Sequence, residues 1–174
     1  LFFLALYNSK GSNKQFLSRL VLEHKSKLSM DHVDWEISQA HWDEAQRQRA
    51  ALECMGIQFL PGYQLAQWHS PTAAIPPMLF WRESQSAIRK GGIAIVGARR
   101  ATRTLEWVEG VAQFCGLNGI PIVSGGALGV DSAAHEGALR GGGVTAAYLG
   151  VAVDRFYPAQ NRGLFARIIE NGGV

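Results

Sequence analysis

Two stretches of this sequence carry residue types from which chemistry can be built. The first, Ile93-Ala-Ile-Val-Gly-Ala-Arg-Arg100, is an apolar run that ends in Gly97, Ala98 and Arg99, with Arg100 and Arg103 close behind. The second is Ile122-Val-Ser-Gly-Gly-Ala-Leu-Gly-Val-Asp131, where Ser124, Gly125 and Gly126 interrupt a similar run. Small residues after a strand let the backbone come close to a ligand, and the N–H groups opening the next helix favour an anion. Arginine adds a planar fork of donors that suits phosphate. The chemistry in question is anion binding.

Familiar anion sites fit poorly. Ser124-Gly-Gly-Ala-Leu-Gly129 departs by one residue from the dinucleotide pattern GxGxxG, with Ser124 in the first Gly place. A nicotinamide site also wants an acid where the following strand ends. That strand ends Tyr148-Leu149-Gly150, with no carboxylate before Asp154. The Gly-Lys-Ser/Thr of a P-loop is absent as well. Asp131 and His135 stand four residues apart on one helix, the spacing of an acid–base pair, but no nucleophile or second placed carboxylate joins them. We read Asp131 as a helix cap and His135 as an internal hydrogen-bonding group, both supporting the site. Cys54 and Cys115 are too few and too far apart for a metal site. No catalytic residue, no metal and no cofactor is expected. Arg99 either meets the ligand or pairs with a carboxylate such as Asp131 or Asp154.

A parallel α/β frame positions these loops. Residues 93–96 read as a strand buried on both faces. A helix from about Arg103 follows, with Leu105, Val108, Ala112 and Cys115 as its inward stripe, Glu106 and Glu109 near its start, and Asn118-Gly119 as its stop. Residues 120–123 form the next strand, and a helix through Ala133, Ala134 and Leu139 ends at Gly141-Gly-Gly143. Residues 144–149 are the third strand, and Leu164, Ile168 and Ile169 mark one more helix. Short strand–helix–strand connections imply a parallel sheet. The expected class is α/β: a Rossmann-like parallel sheet flanked by helices, truncated after three strands and the next helix. The loops 97–104, 124–131 and 150–161 should converge at the carboxyl ends of its strands.

The rest of the chain is less informative. Residues 1–56 read as a small helical N-terminal region, with Leu17, Leu20, Val21 and His24 as one stripe. Asp31 and Asp34 would cap a second helix, whose outward face carries Glu36, Glu44, Arg47 and Arg49 and whose His41 and Trp42 are packing residues. Residues 57–90 form a Pro-punctuated connector. It has short strands at Gly56-Ile-Gln-Phe-Leu-Pro61 and Met78-Leu-Phe-Trp81, and Trp68 and Trp81 as anchors. Residues 91–174 are the Rossmann-like domain. The chain has 174 residues, 47% hydrophobic and 18% charged, enough for a real core. Its net charge of +3 leans toward nucleic acid or phosphate without choosing between them. After Gly91 every basic residue is an arginine. The apolar start, Leu1-Phe-Phe-Leu-Ala-Leu6, is too short for a membrane span, and free thiols suit a reducing cytoplasm. With no initial Met and an abrupt end, the chain reads as a fragment.

Several of these motifs stand in one register. Ile95-Val-Gly-Ala-Arg-Arg-Ala-Thr102, Val123-Ser-Gly-Gly-Ala-Leu-Gly-Val-Asp-Ser-Ala-Ala-His135, Gly137-Ala-Leu139 and Tyr157-Pro-Ala-Gln-Asn161 resemble the DNA-processing protein A family (DprA, also called Smf) in order and spacing. The segment Ile75-Pro-Pro-Met-Leu-Phe80 is similar to the one this family places before its first sheet strand. The resemblance implies a Rossmann-like domain that binds single-stranded DNA without marked sequence preference. It implies protection of incoming strands in natural transformation and help in loading the RecA recombinase, as a homodimer and with no chemical reaction of its own. By the same resemblance Gly97, Ala98 and Arg99 line the DNA site, Ser124, Gly125 and Gly126 form its Ser-Gly loop, and Asn161 follows its Tyr-Pro pair. Asp131 and His135 fall on family positions too. The chain departs from the pattern at Thr104-Leu105, where Tyr-Gly is usual, at Leu128, where a basic residue is common, and at Ala152, where Gly is usual. The alternative is an enzyme, a nucleotide phosphoribohydrolase of the LOG (lysine-decarboxylase-like) type with a similar sheet. That group carries Gly-Gly-x-Gly-Thr and then a Glu. Here, over Gly125-Gly-Ala-Leu-Gly129, Leu128 stands where a Gly is needed and no Thr follows it.

Overall fold

The computed structural model describes residues 38–65, 76, 78–83, 89 and 91–174. The stripe at 17–24, the caps Asp31 and Asp34, Glu36 and the anchor Trp68 lie outside the described residues. The chain divides into two compact units, Leu1–Phe80 and Trp81–Val174. In the first, helix α1 (Gln39–Cys54) leads into strand β1 (Ile57–Pro61) and the short helix α2 (Gly62–Leu65). Ala45, Ile57, Leu60 and Leu65 are buried there. The outer side of α1 is held by ion pairs within the helix, Arg47–Glu44 and Arg49–Glu53, both at 2.7 Å. His41 and Trp42 are half-buried, as packing residues should be. Strand β2 (Met78–Arg82) pairs with β1.

In the second unit, β3 (Ile93–Ala94), β4 (Ile122–Ser124) and β5 (Thr145–Ala147) form a parallel sheet in that order. Helix α3 (Leu105–Leu117) joins the first two, and α4 (Val130–Arg140) joins the last two. The expected α3 stripe is the packed one. Val108, Ala112 and Cys115 are buried and Leu105 half-buried, over Ile122 and against Ala133, Ala134 and Ala138 of α4. Small residues make this contact close: a Cβ on Gly137 would meet Glu109 O at 2.3 Å. Helix α5 (Arg162–Asn171) buries Leu164, Phe165 and Ile168 beside Ala147, with Leu139 of α4 in the same cluster. Two ion pairs tie neighbouring helices, Arg140–Glu109 at 2.9 Å and Arg167–Glu136 at 2.8 Å. The parallel α/β class read from the sequence is the observed one.

The strands are shorter than the apolar runs imply. Residues 93–96 were expected to be buried on both faces, yet only Ile93 and Ala94 are strand, with Ile93 44% and Val96 70% exposed. Among the described residues β3 has no strand on its outer side, whereas β5, at the other end of the order, is flanked by Gly173. The 120–123 run shifts to Ile122–Ser124 because Pro121 has no N–H to give a ladder. The Ile120 N–H meanwhile turns back to Cys115 O at 2.9 Å. The 144–149 run shortens to Thr145–Ala147, although the Tyr148 N–H still reaches Ser124 O at 2.8 Å. Pairing also continues past α5. Ala147 N–H donates to Gly173 O at 3.0 Å, and Arg82 N–H to Val174 O at 2.8 Å. In the sequence, the two glycines and the valine at 172–174 carry no strand signal of their own.

Candidate nucleic-acid interface

The glycine-rich loops meet at the carboxyl ends of the strands, and buried polar side chains hold them there. The Asp131 carboxylate accepts the Gly97 N–H on Oδ1 and the Ala127 N–H on Oδ2, both at 3.3 Å. One side chain therefore staples the 97–104 loop to the 124–131 loop. The Val130 N–H adds a second tie, donating to Ala98 O at 3.2 Å. Ser124 Oγ donates to Ile95 O at 2.6 Å and binds β4 to the end of β3. From the 150–161 loop, Asn161 Nδ2 lies 2.9 Å from Gly126 O and 2.8 Å from Ser132 Oγ. Ser132 in turn donates to Ala127 O at 2.7 Å.

This geometry corrects one expectation about Asp131. It does not cap α4: Gly129 holds the N-cap place, and no side chain bonds there. Asp131 already lies inside the first turn, so its carboxylate points back at the loops rather than at its own helix. The expected alternative of an Arg99–Asp131 pair is not formed either, and no ion pair joins Arg99 to Asp154 among the described residues. Gly97, Ala98 and Arg99 are exposed and Gly125 is half-buried, whereas Ser124, Gly126 and Asn161 are buried. The structure thus brings every sequence-predicted site residue together but sorts them into a surface set and an internal set. Ser132 is the member the sequence reading missed. Its only signal was a hydroxyl directly after Asp131 at a helix start, where Ser is common for other reasons.

His135 sits one turn below Asp131 with 0% exposure. Its Nδ1 is 2.7 Å from Thr145 Oγ1, and that hydroxyl donates its hydrogen to Ile122 O at 3.0 Å. The hydroxyl therefore accepts from the ring. This puts the imidazole proton on Nδ1 and leaves Nε2 a buried atom without a hydrogen-bond partner. Burial lowers the His135 pKa from 6.5 to about 4, against a weaker opposing pull from the Asp131 charge. At neutral pH the ring is uncharged and acts as an internal brace. The sequence reading of His135 as a hydrogen-bonded group inside the fold matches this arrangement.

The arginines divide by use. Arg140 and Arg167 are spent on the interhelix ion pairs. Arg99, Arg100, Arg103, Arg155 and Arg162 are exposed and form no ion pair among the described residues. All five belong to the 97–104 loop, the 150–161 loop or the first residue of α5, so arginines without an ion pair among the described residues gather on the loop edge, with Asp154 and Glu106 as the acidic residues nearest in sequence. Among the described residues no His/Cys/Asp/Glu group could hold a metal ion, and no helix is long and apolar enough to cross a membrane.

Fold and site together define a Rossmann-like domain whose carboxyl edge carries stapled glycine-rich loops and arginines that form no ion pair among the described residues. The sequence profile of the DNA recombination-mediator protein A family matches residues 64–174. The chain is 40% identical over 119 residues to Protein Smf of Synechocystis sp., a match covering 64% of this chain and 29% of that protein. It is 41% identical over 91 residues to the DNA processing protein DprA of Streptococcus pneumoniae, covering 51% of this chain and 32% of the relative. The X-ray structure of DNA processing protein A from Streptococcus pneumoniae aligns with a TM-score of 0.65 at 26% identity, over 96% of this chain and 63% of that one. The chain belongs to the DNA recombination-mediator protein A family, the DprA/Smf proteins. Its matches span about a third or less of the length of these two curated relatives.

Proposed function

We propose that this chain binds single-stranded DNA through its sugar–phosphate backbone, as a binding protein and not an enzyme. Its work is DNA processing in natural transformation and recombination: protecting incoming strands and helping to load RecA, as a homodimer in the cytoplasm. The observation that carries this reading is the set of five arginines that form no ion pair among the described residues, on the loops that meet at the carboxyl ends of the strands. Phosphate contacts of this kind give affinity without reading sequence. The name of the pneumococcal relative, a DNA processing protein, supports the same direction.

Affinity for a single-stranded oligonucleotide is expected to fall linearly with log salt. Arg99→Ala should weaken it about 10-fold on oligonucleotides of different sequence alike, and should flatten the salt slope by about 0.7. Binding that ignores both salt and this substitution overturns the proposal. Release of a free base from nucleoside monophosphates would replace it with the enzymatic reading. Leu128 gives the converse test. It is an exposed apolar residue on the 124–131 loop, so Leu128→Arg should tighten binding several-fold and steepen the slope by about 0.7, as one added phosphate contact would.

A further inference from the structure

We propose that Tyr148 is the platform on which this site stacks a base of its ligand, and thereby the residue that makes it choose single-stranded over duplex DNA. The inference rests on the DNA-binding reading above and adds to it a contact with the bases.

The placement follows from strand alternation. Thr145 and Ala147 point to the helix-covered face, where Thr145 meets His135 and Ala147 joins the cluster of Leu164, Phe165 and Ile168. Ala146 and Tyr148 therefore point to the opposite face. There the buried ring of Trp81 lies 6.3 Å from the Tyr148 ring, centroid to centroid, with the planes tilted by 59°. Such a tilted contact restrains an aromatic ring, and Tyr148 stays 43% exposed. Its main-chain N–H is fixed to Ser124 O at 2.8 Å. Its carbonyl lies 3.8 Å from where a Cβ on Gly125 would stand. The main chain that carries the ring is thus fixed beside the Ser-Gly-Gly loop.

The chemistry follows from this geometry. A preset ring loses little freedom when a base settles on it. Burial pushes the phenol above its ordinary pKa, so it stays neutral and does not repel phosphate. Every base has a π-face, so stacking is tolerant of sequence. In a duplex those faces are already covered by neighbouring bases, and only an unpaired strand can offer one freely. Loop and arginines alone would grip either kind of phosphate backbone. Tyr148 supplies the discrimination.

The test compares the whole chain with Tyr148→Ala, Tyr148→Phe and Arg99→Ala. Each is titrated with a single-stranded oligonucleotide, an abasic strand of the same length, and a duplex. Tyr148→Ala should weaken binding to the intact strand about 5- to 100-fold and leave binding to the abasic strand and the duplex within about twofold. Tyr148→Phe should keep the wild-type affinity, because the ring and not the hydroxyl does the stacking. Unchanged affinity of Tyr148→Ala for the intact strand, with Arg99→Ala still weakened, overturns the stacking proposal and leaves the DNA-binding reading standing. An equal loss on intact and abasic strands also overturns it, since that is the mark of a structural role. A wild-type chain that binds no strand at all brings down the DNA-binding reading itself.

Discussion

Gly129→Ala is expected to destabilise the second unit by about 3–5 kcal/mol and to abolish ligand binding at the loop edge. Two independent costs meet at this residue. Its backbone has φ +80°, a region that L side chains rarely adopt, and forcing one there costs on the order of 1–3 kcal/mol. A Cβ would also meet Ala98 O at 2.3 Å and Arg99 O at 2.7 Å, so main-chain atoms would have to part. A flexible side chain could swing away from such a contact. The Ala98 carbonyl is held by the Val130 N–H, in a loop that Asp131 staples at the Gly97 N–H, and it cannot do so cheaply. The separation would move Arg99 away from the Ser-Gly-Gly loop, which links the stability loss to function. Urea denaturation and DNA titration of the same variant test both parts. A midpoint within 0.3 M of wild type would show that the loops are not locked together at this point. Gly125→Ala is the control with a milder expectation, because its nearest obstacle is the Asp131 carboxylate oxygen at 2.8 Å.

The lock at Gly129 also shows what a sequence can and cannot tell about such a site. The residues themselves were legible, because glycine and small polar residues after apolar runs mark places where backbone must come close to something. What they come close to was not. Gly129 approaches the Ala98 and Arg99 carbonyls, and Asp131 bonds to Gly97, a partner 34 positions away. Partners that distant are set by assembly of the sheet, which periodicity in one segment does not encode. Asn161 and Ser124 illustrate the same limit, since both turn their polar atoms inward to carbonyls of other segments. The arginines were equally visible as a set, but only helix packing separates the paired Arg140 and Arg167 from the five left on the loop edge. In the sequence, Tyr148 is merely part of the strand end where a dinucleotide-binding acid is missing. Its significance as an exposed ring rests on Trp81, 67 positions earlier in the numbering. The helices were the easiest part, because the stripe Leu105, Val108, Ala112, Cys115 repeats within one segment and needs no distant partner to be recognised.

Acidification is expected to weaken the fold through His135. The ring is enclosed, and α4 contributes both the His and its charged neighbour Asp131, while β5 and β4 present only the Thr145 hydroxyl and the Ile122 carbonyl. Burial disfavours the imidazolium, so the folded chain keeps the ring neutral down to about pH 4, whereas the unfolded chain protonates it near 6.5. Between those values the unfolded state holds more protons, and stability must fall as the pH falls. The contribution is complete above pH 6.5 and is lost progressively down to about pH 4. At about 1.4 kcal/mol per pH unit, the loss amounts to roughly 3 kcal/mol. The Asp131 charge works against this loss, and Asp131→Asn should therefore enlarge it. In His135→Gln the amide can still donate to Thr145 but takes up no proton, so its urea midpoint should stay flatter than wild type across this window. The wild-type ring can also be titrated directly by NMR, which keeps the test independent of whether the variant folds. A His135 pKa at or above 6 would mean that the imidazolium is accommodated in the fold, and the brace below the Asp131 staple would then be insensitive to acid.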